Sequence, residues 1–157
     1  MDLKLLAIYL QDHLAGASAG RELVKRAHAS NASTSLGTFL ADLTREIEED
    51  RQSLLEAMRR VEVTPDRVKQ ALGIAGERVG RLKLNGRLRG YSPLSRVVEL
   101  EGLAFGVHSK MACWRTLAAA SVNDARLRGL DFAALIDRAA RQLEQLEDHR
   151  RKAIALL

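Results

Sequence analysis

Of the side chains in this 157-residue sequence that can bind a cation or move a proton, five stand out by position: His13, Asp50, Glu101, His108 and His149. Each falls on or beside a row of aliphatic residues spaced three and four apart, where a solvated helix face would not place it. Imidazole and carboxylate together suit Fe, Mn or Zn, so the five form a candidate ligand set for a divalent metal. His108 beside Asp50 could also act as a general base, but no nucleophile accompanies them and no catalytic residue is assigned. A plainer role competes with both. A buried acid next to a histidine makes a charge-assisted hydrogen bond and fixes how helices are aligned, with no chemistry at all. Buried polar groups need partners in any case, which makes a structural network the better-supported reading.

The elements that carry these residues are helices. The first is predicted over residues 2–29, with Leu3, Leu6, Leu10, His13, Ala17, Gly20, Val24 and Ala27 as its inner row. A polar connection, Asn31 to Ser35, offers several capping residues. A second helix over 35–61 turns inward Leu36, Leu40, Leu43, Ile47, Asp50, Leu54, Ala57 and Val61. So short a connection makes the first two helices antiparallel neighbours. Thr64-Pro65-Asp66 predicts the start of a shorter helix over 65–82, and Ser92-Pro93 repeats that hydroxyl-proline signal ahead of a long helix over 93–120. The last helix, over 131–156, carries Phe132, Leu135, Ala139, Gln142, Leu146, His149, Ala153 and Leu156 inward.

Helix geometry then sets heights. His13 and Asp50 each lie about eleven residues from a shared end of the first two helices, and His108 comes level with them if residues 62–91 cross the length of a bundle. Glu101, one heptad away, comes level with His149 and Glu22.

Other residues have simpler expectations. Cys113 is a small buried apolar group, since no second cysteine exists to pair with it. Trp114 is a core or contact residue. Gly16/Gly20 and Gly102/Gly106 sit one turn apart inside helices and predict close helix–helix approach. Arg81, Lys83, Arg87 and Arg89 concentrate positive charge around the Asn85-Gly86 turn and are a candidate nucleic-acid contact. With Tyr91 the lone aromatic nearby, a solvated surface is the preferred reading there.

Across the whole chain, four predicted helices of about 40 Å each and one thirty-residue connection resemble the ferritin-like arrangement of two hairpins joined by a long crossover. The resemblance implies one all-α domain over 1–157, an antiparallel four-helix bundle with a long crossover holding an extra short helix. It also implies a test, because ferritin-like di-iron proteins place Glu-x-x-His on two helices. The residues three before the histidines are Leu10, Lys25, Phe105 and Leu146, so the motif is absent. A balance of 25 Lys+Arg against 20 Asp+Glu permits a phosphate-bearing partner without requiring one. The single cysteine and the lack of a convincing leader or apolar span fit a cytoplasmic protein with no membrane contact. The expected function is an accessory or interaction protein, self-associating or bound to another protein, around a buried His/Asp/Glu network. Metal binding is the first alternative and nucleic-acid association the second.

Overall fold

A computed structural model describes residues 2–71 and 91–157 and is helical throughout its regular parts. Four long helices dominate: α1 (Leu3–Asn31), α2 (Ser35–Arg60), α3 (Pro93–Ser121) and α4 (Phe132–Ile154), with a single 3-10 turn, Ala125–Leu127, between the last two. Each start has a side-chain cap. Asp2 accepts from the amides of Lys4 and Leu5, Thr34 from Gly37, Ser92 from Ser95 and Asp131 from Ala134. Each of these acceptors satisfies amides that the first helical turn leaves unbonded.

The connection after α2 begins differently from its sequence expectation. Residues 63–66 are not helical; helix starts at residue 67. Its cap is the Asp66 carboxylate, which accepts from Val68 and Lys69, rather than the Thr64 hydroxyl. Gln11 of α1 reaches across to hold this stretch, accepting from the Asp66 amide at 2.8 Å and donating to the Thr64 carbonyl. Lys69 pairs with Asp12 at 3.0 Å, and Arg51 donates to Gln70 at 3.1 Å. The remainder of the expected 65–82 helix, with Arg81, Lys83, Arg87 and Arg89, lies outside the described residues.

The corner between α1 and α2 is built on Asn31. Its buried amide donates to the Ala27 carbonyl and to the Tyr91 hydroxyl, both at 2.8 Å, and its side-chain oxygen accepts from Arg96 at 2.9 Å. Its backbone carbonyl caps the turn by accepting from Thr34. A Cβ on Gly37 would stand 2.1 Å from that same carbonyl oxygen, so the corner closes only over glycine.

The apolar core falls into two halves. One gathers Leu6, Leu10, Leu14, Leu54, Met58, Trp114, Leu117, Leu127 and Phe132; the other gathers Val24, Leu36, Leu40, Leu43, Val97, Leu100, Leu103, Leu146 and Ala153. Tyr9 near the start of α1 meets Thr116 near the end of α3, whereas Arg26 near the end of α1 meets Glu99 near the start of α3. Between the two halves runs a polar layer, and beside it a cleft opens between α1 and α3.

Candidate functional site: a polar layer and an apolar cleft

The polar layer centres on Asp50, which is 2% exposed. Its carboxylate accepts one hydrogen bond from Lys110 of α3 and another, at 3.1 Å, from Arg138 of α4. Lys110 also donates to the Gln142 side-chain oxygen at 2.6 Å, and the Gln142 amide donates to Glu46 at 2.8 Å. Arg138 bridges Asp50 to Glu49. Three helices are thereby tied at one height. Burial pulls the Lys110 ammonium below the ordinary lysine range, while the Asp50 charge works in the opposite direction. An ion pair of this depth adds little net stability over an apolar layer, but losing either member leaves an uncompensated buried charge. Its service is to fix which residues of α2, α3 and α4 face one another.

The structure scatters the five candidate ligands of the sequence. His13, half-buried, packs edge-on against Tyr9 with ring centres 4.5 Å apart. His149 stacks on Phe39 at 4.6 Å. Glu101 is exposed and pairs with Arg150 at 3.5 Å, and His108, also exposed, lines the same shallow groove between α3 and α4. Asp50 is taken up by two cations. Among the described residues no three of His, Cys, Asp and Glu converge in a way that could hold a metal ion. The expected layer of His13, Asp50 and His108 is corrected at its third member: Lys110, two residues further along α3, is what meets Asp50. The inner row of α3 is Val97, Leu100, Leu103, Val107, Lys110, Cys113 or Trp114, and Leu117. His108 is off that row. Glu101 stands near the predicted height on α4 but finds Arg150, the residue after His149.

The cleft has a volume of about 300 Å³ and reaches from Asp12 to Leu23 on α1 and from Gly102 to Trp114 on α3, with Ile47, Asp50, Arg51 and Leu54 of α2 closing its base. Four of its wall residues are the paired glycines, Gly16 and Gly20 facing Gly102 and Gly106. Their expected role is corrected. A Cβ at Gly16, Gly20 or Gly106 would meet nothing within 4 Å, and only at Gly102 would one approach a neighbour, Leu23 Cδ2 at 3.1 Å. Gly16, Gly20 and Gly106 leave space; they do not draw backbones together.

Comparison with family models, curated proteins and solved structures finds no match. The arrangement itself must carry the functional reading.

Two cleft residues match their sequence expectations. Trp114 is 1% exposed and Cys113 is 2% exposed. Burial pushes the Cys113 thiol up to about 12, which removes it as a thiolate nucleophile at neutral pH. Lys110 and the cleft had no separate sequence signal. A lysine in a long helix is ordinarily solvated, and only its place three residues after Val107 and four before Trp114 marks it as inward-facing.

Proposed function

We propose that the protein is a non-catalytic binding module, an antiparallel four-helix bundle of ferritin-like order whose α1–α3 cleft takes up an apolar ligand. Support for the helix order comes from which ends meet. Tyr9 with Thr116 and Arg26 with Glu99 set α1 against α3 head to tail, and Glu46 with Gln142 and Asp50 with Arg138 do so for α2 and α4. Lys110 with Gln142 and Glu101 with Arg150 do the same for α3 and α4. The polar layer is then a register device, and the accessory role expected from the sequence becomes one of holding a ligand.

The observation that carries the binding role is the glycine-walled space. Each glycine in a helix interior costs about 1 kcal/mol relative to alanine. At Gly16, Gly20 and Gly106 no contact in the fold offsets that, since alanine would fit. What the glycines do provide is volume. At about 300 Å³ the cleft sits at the lower bound of small-molecule sites and is walled mainly by apolar groups, with polar groups in a minority.

A test uses N-phenyl-1-naphthylamine, an uncharged dye that fluoresces in apolar surroundings. The wild-type chain should enhance its emission saturably. Gly16→Leu and Gly106→Leu, which place side chains into open space, should abolish the enhancement while helical circular dichroism and Tm are held or raised. No enhancement with wild type, or equal enhancement with both leucine variants, defeats the proposal.

A further inference from the structure

The cleft is not uniform along its length, and its two ends call for different chemistry. At the end formed by Leu23, Gly102, Leu103 and Phe105 the wall is aliphatic, aromatic or bare backbone. At the opposite end stand Arg51, Lys110 and Trp114, and here hydrogen-bond donors exceed acceptors. The Trp114 indole N–H is buried with no partner, on a side chain 1% exposed. The Arg51 Nε–H is likewise buried without a partner, although the same guanidinium reaches Gln70 through another nitrogen and lies 3.7 Å from the Glu48 carboxylate. Lys110 has three N–H bonds, of which Asp50 and Gln142 accept two.

The acidic groups at this end are already occupied. Asp50 accepts from Lys110 and Arg138, Asp12 pairs with Lys69, and Glu48 is shared between Arg21 at 2.8 Å and Arg51 at 3.7 Å. A buried donor left unmade is expensive, so three on one end of a cleft is a demand for an incoming acceptor. With a guanidinium and an ammonium among them, an anionic acceptor suits better than a neutral one.

Resting on the reading of the cleft as an apolar-ligand site, we infer that its ligand is an aliphatic carboxylate. The carboxylate lies against Arg51, Lys110 and Trp114, and the chain runs along the glycines toward Leu23 and Gly102. Size agrees with this class. An apolar cavity of about 150 Å³ takes up benzene, so about twice that space accommodates on the order of ten carbons. From Asp12 to Leu23 the α1 wall is about 16 Å long at 1.5 Å per residue, which favours an extended chain over a compact ring system.

Three probes of equal chain length separate head from tail: decanoate, decanol and decylammonium, each titrated calorimetrically below its aggregation concentration. Decanoate should bind at least tenfold more tightly than decanol, and decylammonium should bind most weakly. Arg51→Met and Trp114→Phe, which keep most of the side-chain bulk, should each weaken decanoate about tenfold, the scale of one hydrogen bond to a charged group. Both should leave decanol within twofold. Decanol binding as tightly as decanoate would overturn the carboxylate assignment and leave the apolar cleft standing. Failure of all three probes, together with failure of the dye, would remove the cleft as a site. Equal weakening of decanoate and decanol in both variants would mean that these side chains shape the wall without recognising the head.

Discussion

At the scale of single residues, the decisive side chain is Lys110. It sits where an aliphatic residue would complete the inner row of α3, and it meets Asp50, which occupies the equivalent place on α2. Removing the charge by Lys110→Met should destabilise the fold by about 3 kcal/mol, because the buried Asp50 carboxylate keeps only Arg138. Asp50→Leu combined with Lys110→Met should cost much less than the sum of the two single changes. A double-mutant cycle by urea denaturation gives that coupling directly, and simple additivity would show that the pair is not a unit.

The histidines make a second residue-scale prediction. Burial holds both His13 and His149 below the ordinary 6.5. The unfolded chain therefore binds more protons than the folded one from about pH 6.5 down to the lowered folded values, and stability falls as pH falls through that window. Urea midpoints should drop between pH 7 and pH 5. Replacing both histidines by glutamine should flatten that part of the profile; an unchanged slope would assign the acid sensitivity elsewhere.

Elements were unequally legible. The inner row of α2 could be read almost residue for residue, since Leu36, Leu40, Leu43, Asp50, Leu54, Ala57 and Val61 are all buried. Its opposite face is strongly charged, so only one orientation satisfies both faces. The same holds for α4 from Phe132 to Leu146. In α3 the contrast is weak: Leu94, Val98 and Phe105 are exposed apolar residues that interrupt what would otherwise be a polar outer face. Periodicity could not choose between those faces, which is why His108 was expected inside and Lys110 was not. In α1 the middle of the row shifts from His13 and Ala17 to Leu14 and Ser18, where the cleft relieves the helix of contact with α3.

The glycines supply the sharpest element-scale contrast, because identical substitutions should have opposite signs. Gly16→Ala and Gly20→Ala should each stabilise by about 0.5–1 kcal/mol, from improved helix propensity and a less flexible unfolded chain. Gly37→Ala, facing the Asn31 carbonyl at 2.1 Å, should destabilise by about 2 kcal/mol or more through backbone displacement. Thermal melts of the three variants decide this. Destabilisation by Gly16→Ala and Gly20→Ala as well would mean that the cleft closes in solution.

For the whole molecule, the sequence supports an all-helical chain, and the described residues contain no helix long and apolar enough to cross a membrane. The cleft was not readable, because it is a property of how far apart two helices stand, and that distance depends on every packed layer at once. Glycine pairs one turn apart are compatible with contact and with vacancy alike. A bound ligand stabilises the folded chain by mass action, about 2.7 kcal/mol at a hundredfold excess over Kd. Decanoate should therefore raise Tm in a concentration-dependent way for wild type and not for Gly106→Leu. A concentration-independent Tm in wild type would contradict specific uptake.

The polar layer has a further consequence for how the molecule opens. α1 with α2, and α3 with α4, are hairpins of sequence neighbours, each closed by a short corner. Where the cleft lies, α1 and α3 share few packed side chains, and the ties between hairpins at that height include Lys110 and Arg138 on Asp50, Arg138 on Glu49 and Gln142 on Glu46. Such a seam is a natural plane of sub-global opening, with each hairpin behaving as its own cooperative unit. Amide protons along α1 near Gly16 and Gly20 should exchange with solvent deuterium faster than those of α2 near Leu40. The Asp50 contacts then act as a latch whose lifetime sets how often the two hairpins part.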